Sequence, residues 1–210
     1  RYLLNARKPS VEFSSGTAIP IFLLLGIEHL LLGFDHVLFL LVLLYLVPGW
    51  KNLLGVITAF TVAHSLTLGL SVFQLITLPQ PPVEALVALS IVVLAREALS
   101  SRRSLISARP WLAALAFGLL HGLGFAGALS AIGLPEDNAV GALFLFNVGI
   151  ELGQLMIVSL ALTLVVVGAR LGLKMTWHSS QPMALMQAPL YLAGGISTYW
   201  FVERCVQIAG

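Results

Sequence analysis

Six windows of about 20 mostly apolar residues run through this chain and constrain its fold more than any other feature. A helix of that length crosses the hydrocarbon core of a bilayer. The whole chain has 59% hydrophobic residues, only 10% charged residues and a mean hydropathy of +0.99. Soluble domains carry about 25% charged residues. We therefore predict an all-α, polytopic membrane protein with a bundle of about six transmembrane helices.

Short polar or proline-containing stretches separate the predicted transmembrane helices, such as "PGW" after the first and "LPQPP" after the second. The predicted helices cover residues 17–47, 53–76, 83–99, 111–133, 139–169 and 186–208. The first and fifth are longer than one crossing requires, which tilt, a kink or an extramembrane extension would explain. We expect residues 17–208 to form a single six-helix transmembrane domain.

Basic residues in the short loops indicate the orientation of the chain. Lysine and arginine follow the first, third and fifth predicted helices and are absent after the second and fourth. The positive-inside rule then predicts that both termini face outward, in a bacterial inner (plasma) membrane. Residues 1–16 are polar and begin with Arg1 rather than methionine. We expect them to be the extracytoplasmic tail of a missing upstream region.

Charge and cysteine usage exclude several classes of function. A net charge of +2 is too small to favour nucleic acid as a partner. Cys205 is the only cysteine, which excludes intrachain disulfides and cysteine-cluster metal sites. No glycine-rich phosphate loop precedes a basic residue, so ATP-driven transport by this chain alone is not expected. The expected partners are the lipid bilayer and a small substrate, and a homo-oligomer stays open.

Four ionisable residues interrupt the first apolar window within "GIEHLLLGFDHVLFLL". His29 and His36 are seven residues apart, so they share a helix face with about 10 Å between them along the axis. Glu28 and Asp35 form an adjacent stripe at the same spacing. One metal held by both histidines would need a local distortion, which Gly33 could permit. Otherwise the face carries two successive sites, as a translocation path would.

Three other predicted helices also carry polar groups near their middle, where such groups are costly and often functional. The blocks are "FTVAHSLTLG", "FGLLHGLGFAGAL" and "FNVGIELGQL", with His64, Ser65, His121, Asn147, Glu151 and Gln154. Each residue alone has an ordinary interpretation, since polar side chains bond between helices and glycines let helices approach closely. Four of the five histidines lie at this depth together with Asp35 and Glu151, which favours a common site.

Imidazole and carboxylate ligands suit nickel, zinc, cobalt, iron or manganese rather than copper(I). A permease for such a divalent ion and a proton relay of the same residue types both fit this pattern. An intramembrane zinc hydrolase fits it as well, with zinc on His36, His64 and His121. Asp35 would then orient a histidine or activate water, Glu151 would act as an acid or base, and Ser65 would stabilise an oxyanion. Glu84 is either a favourable charge at a helix N-terminus or, like Glu136 and Asp137, a point where cations enter.

The spacing HxxxxxDH formed by His29, Asp35 and His36 resembles the signature of the HupE/UreJ family, membrane proteins associated with nickel supply to hydrogenase and urease. "FTVAHSLTL", "VEALVALSI", "FGLLHGLGFAGAL" and "FNVGIELGQL" resemble its other blocks in the same order. The resemblance covers about residues 17–205. It implies a six-helix permease for nickel or a similar ion, cobalt or zinc included, with His29, Asp35 and His36 as key residues. His121 departs from the family's nickel permeases, whose corresponding motif also includes a glutamate.

Overall fold

The computed structural model describes residues 15–100, 104–132, 135, 138–171 and 184–209 and, within these ranges, all side chains except those of 15–20, 125–132 and 184–186. Every regular element in this part of the chain is helical, which confirms the all-α prediction. The eight helices are α1 Ser15–Leu32, α2 Phe34–Leu46, α3 Trp50–Val72, α4 Gln80–Leu99, α5 Leu105–Ala108, α6 Pro110–Ile132, α7 Ala139–Arg170 and α8 Ala184–Ala209.

Two of the described helices, α3 and α7, are each long and apolar enough to cross a membrane. The bent pair of α1 and α2 makes a third candidate when it is counted as one broken span. Together with the composition, these helices identify a helical membrane protein. The number of six crossings and the outward termini stay predictions.

The first predicted transmembrane helix is not continuous but is divided into α1 and α2 at Gly33. The chain leaves the helical conformation at Gly33, and the segments Ile21–Leu32 and Phe34–Leu46 are bent by 71° from each other. Of the three explanations for the length of residues 17–47, the kink is therefore the one that applies. The fifth predicted helix, in contrast, is a single helix of 32 residues, α7.

Close helix pairs hold the bundle together, and glycines mediate two of them. In the pair of α3 and α6, a Cβ on Gly118 would lie 2.5 Å from the Phe60 carbonyl oxygen, and one on Gly122 would collide with the His64 carbonyl oxygen. Gly26 and Gly149 meet in the same way between α1 and α7. The backbones approach closely because no side chain separates them. This confirms the packing role predicted for the glycines of the fourth apolar window.

Apolar packing places the core beside the polar residues of the first window. One buried cluster centres on α2 and α3 and includes Phe39, Leu43, Ile57 and Phe60. It continues onto α4 and α6, whereas a smaller cluster around Phe146 joins α1, α3 and α7. The histidines lie where these two clusters meet, since His29 contacts Phe146 and His36 contacts Phe60.

Candidate metal centre

The break at Gly33 turns two distant histidines toward each other. The residue has φ −75° and ψ 90°, an extended conformation that ends α1 and begins α2. Glycine is required here because a Cβ would lie 2.7 Å from the His29 carbonyl oxygen and 2.9 Å from Nδ1 of His36. The ring centroids of His29 and His36 are 4.7 Å apart, whereas a straight helix would separate them by about 10 Å along its axis.

Two further histidines complete a cluster centred on His36. His64 comes from α3, and its ring centroid lies 5.7 Å from that of His36 and 6.2 Å from that of His29. His121 comes from α6, with its centroid 5.0 Å from that of His36. The structure thus brings together four histidines that are up to 92 positions apart in the chain.

Among the described side chains, two sets of three residues have ligand atoms close enough to hold a metal ion. The cavity group consists of Asp35, His36 and His121, and the buried group consists of His29, His36 and His64. Within each group all ligand atoms lie within 4.8 Å of one another. Both nitrogens of His64 are buried with no hydrogen-bond partner among the described residues. Buried polar atoms rarely lack a partner, and a metal ion would supply one.

Neighbouring side chains orient two of the histidines as metal ligands. The ionised Asp35 carboxylate can only accept hydrogen bonds, so Nδ1–H of His36 donates to Oδ1 of Asp35 at 3.1 Å. The lone pair of the His36 imidazole is therefore on Nε2. The Ser90 hydroxyl donates to the Val87 carbonyl at 2.6 Å and therefore accepts from Nε2–H of His121 at 3.2 Å. The lone pair of His121 is then on Nδ1, which has no partner among the described atoms. Such outer contacts fix the tautomer of a metal-binding histidine.

The centre is almost fully enclosed by protein. His36, His64 and His121 are 4%, 0% and 1% exposed. Phe60 stacks on His64 with a centroid distance of 5.9 Å, and Phe39 lies 5.0 Å from His121. An ion can enter such an apolar enclosure only if protein ligands replace its hydration shell. Four imidazoles and one carboxylate are suitable replacements for a transition metal.

A cavity of about 380 Å³ leads from this cluster toward the surface of the bundle. His29, Asp35, His36 and His121 line its inner part. Its outer part is lined by residues of α4 and α8, among them Glu84, Trp200, Glu203 and Arg204. Nε of Arg204 pairs with Oε2 of Glu84 at 2.6 Å, and the two side chains are 35% and 40% exposed. This ion pair lies where the cavity meets the exterior.

A comparison with protein families identifies the family of this chain. The family model described as HupE / UreJ protein matches residues 6–204. The chain belongs to the HupE/UreJ family. The resemblance of the five sequence blocks is thereby confirmed, and the match includes both ligand groups and the cavity. Neither a curated protein nor a solved structure matches the chain.

Two predicted residues of this HupE/UreJ chain lie in the contact between α3 and α7 instead of the centre. Glu151 accepts a hydrogen bond from the Thr58 hydroxyl at 2.9 Å, and Gln154 accepts one from the Thr61 hydroxyl at 2.9 Å. Glu151 is in neither ligand group. Its predicted role as a metal ligand stays a prediction that its contact with Thr58 does not favour.

The remaining predicted residues are dispersed. Asn147 donates its amide to the Leu143 carbonyl, and Ser65 donates its hydroxyl to the Thr61 carbonyl, so both bond their own helices. Glu28 is exposed on α1. Glu84 lies past the first turn of α4, in the cavity wall, and pairs with Arg204, so its role as a point where cations enter stays a prediction. Two acidic residues expected to receive cations, Glu136 and Asp137, lie outside the described residues.

Sequence reasoning missed two residues that the structure adds. Ser90 orients His121, and a lone serine within the apolar block "VEALVALSI" was the available signal. Arg204 lies in the cavity wall opposite Glu84. Nothing in the sequence indicates this position, because the sequence does not reveal that α8 packs beside α4.

Proposed function

We propose that this HupE/UreJ protein is a membrane permease whose substrate is a divalent transition-metal ion, with nickel as the first candidate and cobalt and zinc as the others. The proposal rests on one observation. Four histidines and Asp35 converge at the break between α1 and α2, and they lie at the inner end of a cavity that reaches the surface. We further propose that it works in a bacterial inner membrane.

The donor atoms support this class of substrate. Imidazole nitrogens with one carboxylate suit nickel, cobalt and zinc, whereas magnesium and calcium prefer all-oxygen sites. Cys205 lies on α8 and belongs to neither ligand group. A soft thiolate site, as copper(I) would favour, therefore has no support among the described residues.

The broken span also supports transport. Discontinuous helices in transporters often surround the substrate site, because the helix ends bring partial charges into the bundle. The C-terminal end of α1 carries partial negative charge beside His29 and the cavity, which favours a cation. Asp35 adds a full negative charge at the start of α2.

An intramembrane zinc hydrolase has less support. That alternative needs Ser65 free to stabilise an oxyanion and Glu151 near the metal as an acid or base. The Ser65 hydroxyl donates to the Thr61 carbonyl at 2.6 Å, and Glu151 accepts from Thr58 instead. Two of its required groups are therefore engaged elsewhere.

The test is uptake of nickel, cobalt and zinc into proteoliposomes that contain the purified protein. We expect saturable uptake of at least one of these ions, and its loss in Asp35→Ala because that variant removes the carboxylate of the cavity group. Glu28→Ala is the matched variant, since it removes an exposed carboxylate seven residues earlier on the same span. Absence of uptake of all three ions by the wild-type protein would reject the permease.

A further inference from the structure

His36 is the one residue that belongs to both ligand groups. Its Nδ1–H is engaged by Asp35, so a neutral His36 has a single lone pair, on Nε2, to offer to a metal. That nitrogen is buried and has no hydrogen-bond partner among the described atoms. One lone pair binds one ion, so the two groups compete for the same ligand.

We propose that the cavity group and the buried group are two alternative positions of a single ion, and that His36 carries the ion from the first to the second. This inference rests on the proposed function, because it describes the path of the transported ion. It assigns distinct roles to His121 and His64, which would each bind the ion at one of the two positions only.

The two groups differ in access, which gives the path a direction. All three members of the cavity group line the cavity, and the side chain of Asp35 is 35% exposed. In the buried group His29 and His36 also line the cavity, but His64 is 0% exposed and is not among the lining residues. An ion arriving through the cavity therefore meets Asp35, His36 and His121 before it can reach His64.

The shared ligand favours exchange over occupancy of both groups at once. The ligand atoms of each group lie within 4.8 Å of one another, so either group can hold an ion. His36 can complete only one group at a time, because its single lone pair is on Nε2. Two divalent ions at neighbouring positions would also repel each other strongly in this enclosed site.

The difference in donor atoms makes the second position selective. The cavity group offers a carboxylate, which hard ions such as magnesium also accept, whereas the buried group offers nitrogen ligands only. A magnesium ion that reached Asp35 would gain no suitable ligand by moving to His29 and His64. We therefore assign discrimination against magnesium and calcium to the buried group.

The test is the stoichiometry and absorption spectrum of Co²⁺ bound to the purified full chain in nanodiscs. We expect about one ion per chain in the wild-type protein. His64→Ala and His121→Ala should each retain about one ion, but with different ligand-field spectra, because each keeps a different group. His36→Ala and the double variant His64→Ala/His121→Ala should retain almost none.

A second variant keeps the test valid if His36→Ala does not fold. In His36→Asn the side-chain amide can still donate to Asp35, but it offers no imidazole nitrogen to the metal. Helical content and a monodisperse elution profile identify the folded variants. Two ions per chain in the wild-type protein, or one ion retained in folded His36→Asn, would overturn the shared-ligand arrangement.

Uptake measurements on the same proteins separate this inference from the permease itself. We expect His64→Ala and His121→Ala to lose uptake although each still binds Co²⁺. Wild-type uptake by His64→Ala would overturn the transfer step while leaving the permease intact. No uptake by the wild-type protein, with the expected binding pattern retained, would reject the permease and leave the shared ligand standing.

Discussion

Two regions of the chain, residues 17–47 and 139–169, have the same appearance in the sequence, since each is an overlong apolar window with polar residues near its middle. In the structure the first is broken at Gly33 and the second is the continuous helix α7. The break turns His29 and His36 toward each other, with 4.7 Å between their ring centroids. The interruption of the helix, rather than its polar content, therefore brings the candidate metal ligands together.

The polar residues of the continuous helix have a different use. Glu151 and Gln154 accept hydrogen bonds from Thr58 and Thr61 on α3. Hydrogen bonds of this kind join helices inside a membrane. Polar side chains two turns apart on a straight helix stay about 10 Å apart along the axis, so they reach a neighbouring helix rather than one another.

Closing the break should have the largest effect. In Gly33→Ala the new Cβ would meet the His29 carbonyl oxygen at 2.7 Å and His36 Nδ1 at 2.9 Å, so both histidines must shift. We expect Co²⁺ affinity to fall about 100-fold or more, beyond the 10–100-fold loss typical of an outer-contact change. Equilibrium dialysis measures it. Gly55→Ala is the control, because a Cβ there meets nothing within 4 Å. Equal Co²⁺ affinities in Gly33→Ala and Gly55→Ala would show that metal binding does not depend on the break at Gly33.

Removing the hydroxyl that orients His121 should have a smaller effect. Ser90→Ala leaves Nε2–H of His121 without its buried acceptor, so the imidazole can rotate or change tautomer. We expect Co²⁺ affinity of the cavity group to fall about 10-fold, measured in the His64→Ala background where only that group binds. Ser159→Ala, on an exposed part of α7, should leave affinity unchanged. Unchanged affinity in Ser90→Ala would mean that the contact does not orient the ligand.

The sequence predicted the helical class, the family and most of the centre because these depend on local composition and on residue types that are expensive to bury. Four histidines at the middle of three apolar windows indicated a common site, and Gly33 was the one residue that suggested a distortion. The 71° bend itself was not predictable, because the backbone angles of Gly33 are open to any residue and depend on the neighbours it packs against. Ser90 and Arg204 were missed because the sequence around each residue does not show which other helix it packs against.

The polar contacts of the continuous helix should affect stability instead of binding. Thr61→Val removes the hydroxyl that bonds the 3%-exposed Gln154 and should lower the free energy of unfolding by about 1 kcal/mol. Gln154→Leu should cost a similar amount, and the double variant should cost less than the sum of the two because the contact can be lost only once. Unfolding in mixed micelles measures this coupling. Strict additivity would indicate that the hydrogen bond contributes nothing.

The smallest expected effect belongs to Glu151, whose predicted role as a metal ligand is not favoured by its contact with Thr58. Glu151→Gln keeps an oxygen that can accept from Thr58 and changes a carboxylate that lies outside both ligand groups. We expect Co²⁺ affinity to change by less than about twofold, the range of substitutions away from a site. A loss as large as that of Gly33→Ala would contradict this distinction between the two regions, because α7 would then supply a metal ligand whose carboxylate accepts from Thr58 in the structure. The ligand-field spectrum of Co²⁺ bound to the same variant would identify which histidine group it joins.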